Sequence, residues 1–235
     1  MKFIGHLDIM RYFQKAMKRA KIDIAYSEGY NPHQKMSFAS PLGLGLTGER
    51  EYVDIEINTF IPSDEAIKAL NEVMVEGVEV SDFVYLEDNV QNAMSSIQAA
   101  EYLVFVKNAE NDILFSSADA LREYCEAFFN QDEIVVTKET KKGESTFDLK
   151  PFVFDWEVCD ALTGDAIALN LILKAGSETN IKPEFVVTNL LNFHKLDVEL
   201  MKYQFHRVDL YTLIEEEYIS LGDIGKHVIS EAGIN

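Results

Sequence analysis

The sequence predicts an α+β fold of two tandem ferredoxin-like units, each of plan β-α-β-β-α-β, with the first unit lacking its N-terminal strand. Three observations carry this expectation. Residues 1–90 read α-β-β-α-β, which is the plan without its opening strand. Residues 99–213 read β-α-β-β-α-β with added pieces. Between them, Glu87 to Gln98 is polar and low in aromatics, an expected linker or short helix. Residues 214–235 are expected as an acidic tail, a peripheral helix or disordered, because Glu215, Glu216 and Glu217 open it.

In the first half, Leu7 to Lys21 predicts an amphipathic helix. Leu7, Met10, Phe13, Met17 and Ala20 recur every three or four residues, and Arg11, Lys15, Lys18 and Arg19 fall on the other side. Asp8 in the first turn and the cations in the last suit the helix dipole. Ile24 to Tyr26 predicts a short strand, and Gly29-Tyr30-Asn31-Pro32 a turn. Met36 to Ala39 alternates as a strand, and Pro41 to Gly45 bends it. Tyr52 to Ile57 alternates strictly, with Val53, Ile55 and Ile57 on one face. Ser63 is expected to cap a helix that runs through Leu70 and Val73 and ends at Gly77. Val78 to Val84 predicts one more strand.

In the second half, Tyr102 to Val106 reads as a strand. Ser117 caps a helix bearing Leu121, Tyr124, Cys125 and Phe128. Ile134 to Thr137 is a strand end, Lys141-Lys142-Gly143 a turn, and Phe147 to Val158 extended chain. Leu162 to Asp165 reads as a hairpin turn, with Ala166 to Leu173 the return strand. Lys182-Pro183 opens a helix, since proline suits a first turn, and it runs to about Asn192. Phe205 to Tyr211 is the last strand.

Composition narrows the function. The 235 residues are 47% hydrophobic and 26% charged, as in a globular protein. No apolar run reaches the ~20 residues that a bilayer span needs, and no signal pattern opens the chain, so cytoplasmic location is expected. Cys125 and Cys159 lack C-x-x-C spacing, so neither a cysteine metal site nor a disulfide scaffold is expected, and no cofactor is expected. The net charge of −19 opposes general nucleic-acid binding. The charge is uneven, however. Residues 1–50 hold eight Lys/Arg and four acids, a net of +4, so the remainder carries −23. A basic end on an acidic body predicts one anion-facing patch, or a helix that neutralises the protein's own acids.

The candidate sites follow from that end. His6, Asp8 and His33 have the chemistry of a metal or acid–base cluster, set against helix capping and a loop hydrogen bond. Arg11 and Lys15 supply cations on the helix. Tyr30, Asn31, His33 and Lys35 offer rings, an amide and an ammonium, which suit stacking on a base and contact with a phosphate. In the second half, backbone N–H groups after Ser177, with Lys182, could take an anion at a helix start, and His206-Arg207 lies on the following strand. Surface loops and ordinary ion pairs are the competing explanation for each.

The motif Gly5-His6-Leu7-Asp8, Arg11, Ala25 to His33, Lys35, Ser37-Phe38-Ala39, Pro41-Leu42 and Glu51 to Glu56 resembles the radical SAM-linked protein family. That is a bacterial domain of unknown function, encoded beside or fused to a radical S-adenosylmethionine protein. Asp148-Leu149-Lys150-Pro151, Ala175-Gly176-Ser177, Lys182-Pro183 and His206-Arg207 resemble its weaker downstream motifs, which adds Lys150 to the candidates. The resemblance spans about residues 3–212. It implies a radical SAM protein as partner, and an accessory role, because the chain has no C-x-x-x-C-x-x-C cluster motif. Family members carry a basic strand before Gly-His-Leu-Asp, so the missing strand is expected to reflect a late start. Three functions are set against each other: an accessory module binding a substrate, with RNA a candidate; an enzyme using His6, Asp8 and His33; and a structural interaction module that borrows a strand.

Overall fold

The structure is a computed structural model, and it describes residues 3–107, 112–140, 143–161 and 166–229. Elements in the first part of the chain are α1 (His6–Arg19), β1 (Met36–Phe38), β2 (Thr47–Gly48), β3 (Val53–Ile55), α2 (Ser63–Asn71) and α3 (Ala93–Ser96). There follow β4 (Ile97–Val106), α4 (Ala118–Phe129), β5 (Val135–Thr140), β6 (Gly143–Asp148) and β7 (Val153–Asp160). The last are β8 (Ile167–Lys174), α5 (Pro183–Phe193), β9 (Tyr203–Ile214) and β10 (Glu217–Ser220). The class is α+β. The chain forms two compact units: the first takes the chain up to Leu44, Arg50–Ile97 and the chain from Tyr211 on, and the second takes Gly45–Glu49 and Gln98–Leu210.

In the first unit α1 buries Ala16 and Met17. Met17 joins Ile22, Ile24, Ala66 and Leu70 in a small core, against which Phe13, Met36, Ile55 and Ile57 pack. The apolar stripe therefore works only from Phe13 onward, and Leu7 is 60% exposed. The helix stops where Lys21 turns to φ +57. Its N–H meets Lys18 O at 3.3 Å, and Ile22 N–H meets Met17 O at 3.1 Å, a Schellman ending with lysine in the glycine position. β1 and β3 pair antiparallel, Ser37 opposite Asp54. The alternating stretch around β3 is regular strand only over Val53–Ile55, and Ile57 adds a lone bridge to Ile24.

Three expectations for this unit are corrected. The stretch Val78 to Val84 is not a strand. Both backbone groups of Val80 are taken by the Asn71 side chain at 2.8 Å, so the segment has no strand neighbour to pair with. Its apolar residues Val80 and Phe83 still pack on the core. The helix around Leu70 ends at Asn71 rather than at Gly77, and Pro62 holds the cap position. Ser63 instead pairs with Val228, donating its N–H to Val228 O (2.7 Å) and accepting from Val228 N at Oγ (3.0 Å). The acidic tail, as far as residue 229, is not a peripheral α-helix but a strand return with a 3-10 turn at Leu221–Asp223. β9 runs on to Ile214, a two-residue turn of Glu215 and Glu216 reverses it at φ +50 and +69, and β10 returns along it.

In the second unit the strands lie in the order β9-β4-β8-β7, with β4/β8 and β7/β8 antiparallel. Helix α4 lies between β4 and β7 in the chain, and α5 between β8 and β9. Tyr102, Leu171 and Trp156 share one face through the registers of β4, β8 and β7. Trp156 stacks on Phe129 of α4 at 5.2 Å, so this is the helix-covered face. Leu121, Cys125 and Phe128 of α4 and Val186, Val187, Leu190 and Leu191 of α5 are buried. Ser117 caps α4 as expected, accepting from Ala120 N. The hairpin β5–β6 is an insertion with its own two-stranded sheet, and Lys150–Phe152 forms a 3-10 turn where extended chain was expected. The expected turns at Leu162 to Asp165 and at Lys141-Lys142 lie outside the described residues.

Candidate functional site

The loop after α1 is closed at its base and open at its tip. Tyr26 bridges Gln34, and Ser27 N–H donates to His33 O at 2.8 Å. Ser27 Oγ accepts from His33 N–H at 3.1 Å and meets His33 Nδ1 at 2.8 Å. One imidazole nitrogen is thus spent inside the loop, and Nε2 is left for outside contacts. Gly29 at φ +109 makes the reversal, a conformation that a side chain would strain. Between these ties Tyr30, Asn31, Pro32 and His33 are all exposed. Tyr30 is fully so, at 106% of its reference area. A ring that buries nothing contributes nothing to the fold, so its worth lies in what it can touch.

Gln34 fastens the loop to α1. Its Nε2 donates to Gln14 O at 3.2 Å and meets Tyr26 Oη at 3.4 Å. Beside that anchor α1 presents Lys15 and Lys18, one turn apart, and Lys21 follows at its end. All three are exposed, and among the described residues none meets a carboxylate. Three other described cations of this end, Arg11, Arg19 and Lys35, are occupied. Arg11 pairs with Asp8 at 3.4 Å. Arg19 donates to Val73 O at 3.2 Å and lies over the Tyr12 ring. Lys35 Nζ holds both Glu56 oxygens at 2.8 and 2.9 Å, so it belongs to a surface ion pair.

The structure does not gather His6, Asp8 and His33. His6 sits edge-on to Phe38 at 5.6 Å, Asp8 faces Arg11, and His33 faces Ser27. Among the described residues no three His, Cys, Asp or Glu side chains are placed to hold a metal ion.

In the second unit the candidates are scattered. Lys150 Nζ donates to Gln131 O, which ties the 3-10 turn to the end of α4. Ser177 and Lys182 are exposed, but the first turn of α5 already carries the acidic Glu184, whose charge opposes a second anion there. His206 Nδ1 meets Thr47 Oγ1 at 2.8 Å, and its Nε2 lies 3.7 Å from Glu49. Gln204 Nε2 also reaches Thr47 Oγ1, at 3.3 Å, and Arg207 is 3% exposed. These groups fasten β2 to β9. A cleft of about 260 Å³ near α4, α5 and β5 is lined by Phe128, Ile134, Asn189 and Phe193 among others, with no ionisable side chain. Burial pushes the Cys125 thiol up to about 12. Burial, then Glu157, Asp160 and Glu101, raise Cys159, so neither thiol is an activated nucleophile.

Sequence reading found the loop and the basic helix. It missed Gln34, whose role is legible only from the bond to Gln14, and it offered a loop hydrogen bond for His33 without its partner Ser27. What the geometry shows is an α+β protein whose first unit exposes Tyr30, Asn31 and His33 on a loop tip and Lys15, Lys18 and Lys21 on and after α1. The chain belongs to the family described as an uncharacterized protein conserved in bacteria (DUF2344), whose profile matches residues 1–183. No curated protein matches it.

Proposed function

We propose that the chain is an accessory protein for a radical S-adenosylmethionine enzyme, and that it holds a single-stranded RNA substrate on the surface formed by α1 and the 26–34 loop. The partner class rests on the resemblance of the Gly5–Asp8 and Ala25–His33 motifs to the radical SAM-linked family. The observation that carries the RNA reading is the pairing of the fully exposed Tyr30 with three uncompensated lysines, Lys15, Lys18 and Lys21. A ring that stacks on bases beside cations that track phosphates is the pattern of single-strand binding. Asn31 and His33 Nε2 add hydrogen bonds. The acidic remainder of the chain repels phosphate and confines the RNA to this end.

The test is fluorescence anisotropy with a labelled single-stranded RNA of about 12 nucleotides across a salt series. Three lysines set the slope of log K against log salt at about −2, from ~0.7 per phosphate. Tyr30→Ala is expected to weaken binding about tenfold or more, since stacking on an aromatic ring contributes ~1–3 kcal/mol per base. Lys15→Glu with Lys18→Glu is expected to weaken it further and flatten the slope. Binding that ignores salt and all three substitutions would remove this reading.

A further inference from the structure

The β5–β6 hairpin pairs with no other strand. Leu149 N–H donates to Ile134 O at 2.8 Å, which sets the phase of its antiparallel ladder. Alternate residues bond across such a pair. Val136 and Lys138 therefore bond to β6, while Val135, Thr137 and Glu139 turn their N–H and C=O outward. All three are exposed, and among the described residues no bond reaches these outward backbone groups. A bare edge is a liability that chains blunt with charge or proline. β7, at the edge of the main sheet, carries Asp155, Glu157 and Asp160. The outer edge of β6 carries Glu144 and Asp148. β5 instead presents Val135, 64% exposed, and Thr137 before its one acid, Glu139.

Beside β5 lies the cleft of about 260 Å³, whose lining includes Phe128, Gln131, Val136, Asn189, Asn192 and Phe193. It is smaller than the ~300–1,000 Å³ usual for small-molecule sites and suits one side chain. Phe128 and Phe193 meet edge to face at 5.6 Å and give it an aromatic wall. Gln131 Nε2 donates to Phe128 O at 2.7 Å, and Asn189 Nδ2 to Phe185 O at 2.8 Å. Both amides are thus fixed with their oxygens left as acceptors, and neither oxygen is buried. No ionisable side chain lines the cleft. A ring with one N–H or O–H at its tip answers these conditions. Around the edge, Asp132, Glu133 and Glu139 are exposed and meet no cation among the described residues, which favours a basic occupant.

We propose that β5 is a docking edge for an extended, basic segment of a protein partner, which adds as a third strand and seats a tyrosine or tryptophan in the cleft. The backbone of the segment bonds to the outward groups of Val135, Thr137 and Glu139. Its side chains alternate, so one on the Val136 side of the ribbon enters the cleft while its neighbours face solvent. Its lysines or arginines meet the acids. A third strand also steadies a two-stranded ribbon, which is marginal alone. This surface lies in the second unit and is independent of RNA binding.

The test selects from a phage-displayed library of random peptides of about nine residues, the length of one strand, on the immobilised full chain. Selected peptides are synthesised and measured by fluorescence anisotropy. They are expected to carry tyrosine or tryptophan flanked by lysine or arginine. Replacing that ring with alanine should weaken binding about tenfold or more, the scale of burying an aromatic side chain. N-methylation of alternate peptide nitrogens should cost about five- to tenfold per hydrogen bond in one phase and little in the other. Thr137→Pro removes the central outward N–H and spares the ladder to β6, and Val135→Lys sets a cation beside those of the peptide. Both variants should lose binding, with their fold checked by circular dichroism. If Thr137→Pro does not fold, Val135→Lys and the methylation phase decide. Failure to enrich any peptide would overturn the proposal. So would selected peptides that bind both variants as tightly as the unaltered chain, or that ignore the phase of methylation. A dimer in light scattering that Val135→Lys dissolves would also overturn it, because the edge would then belong to a second copy.

Discussion

The two units divide labour unequally. Of the twelve largest fully buried side chains among the described residues, eleven lie in the second unit and only Leu70 in the first. In the second unit β9, β4, β8 and β7 lie in one sheet, with the short β2 beside β9 and α4 over one face. The first unit has the β1–β3 ribbon, the end of β9 paired with β10, the 14-residue α1 and segments held by side-chain hydrogen bonds, such as Asn71 on Val80 and Ser63 on Val228. A large core fixes a fold and leaves little to present. A small core clamped at a few points can afford an exposed loop with a fully solvated tyrosine. The difference places most of the buried apolar bulk in the second unit and the exposed Tyr30 loop in the first.

The sharpest way to break this comparison is to remove one leucine from each core. Leu171→Ala is expected to cost about 3–5 kcal/mol and Leu70→Ala about 2–3 kcal/mol, because the smaller core collapses more readily around a cavity. Trp156, the only tryptophan, stacks on Phe129 and so reports the second unit by fluorescence. In urea, Leu171→Ala should move the fluorescence midpoint strongly. Leu70→Ala should move the circular dichroism and hardly the fluorescence. An equal shift of the tryptophan signal by both variants would show that the two cores do not unfold separately.

Next in size is Asn71→Ala. It strips both partners from Val80, two hydrogen bonds of about 1 kcal/mol each, so a loss of about 2 kcal/mol is expected in the first unit alone. Thermal unfolding followed by circular dichroism measures it. No change would mean that 78–84 is held by its apolar contacts and not by the amide.

How much of this was legible in the sequence also differs between the units. In the second, periodicity located β4, α4, β7, β8, α5 and β9, because long elements around a large core bury one face regularly. The cap at Ser117 and the proline start of α5 held as well. In the first unit, the apolar and β-branched run at Val78–Val84 misled, since packing on a core does not require a strand partner. The acidic run at 215–217 read as a tail, yet it makes a hairpin. That turn needs positive φ at both central residues, for which Asn-Gly is the usual signal and Glu-Glu is none. Tyr30, His33 and the lysines of α1 were legible because turn chemistry and charge are local. Gln34 and the pairing of Lys35 with Glu56 were not, because both depend on partners about twenty residues away.

The finest test of the comparison uses two lysines in the same conformation. Lys21 and Lys195 both end a helix at positive φ, +57 and +58, with matching Schellman bonds: Ile22 N–H to Met17 O at 3.1 Å, and Leu196 N–H to Leu191 O at 2.9 Å. The left-handed region disfavours any residue with a Cβ, so glycine at either place relieves strain of about 1 kcal/mol. Lys21→Gly and Lys195→Gly are therefore expected to raise stability alike, by up to about 1 kcal/mol in urea unfolding. Their effects on RNA should differ. Lys21 lies on the proposed surface, and its loss should make the salt slope shallower by about 0.7, one phosphate contact on a single strand. Lys195 belongs to the second unit, and Lys195→Gly should leave both affinity and slope as they were. If Lys195→Gly weakens RNA binding as much as Lys21→Gly, the contact surface is not confined to the first unit. If neither substitution stabilises, lysine at these helix ends is held by something other than backbone geometry.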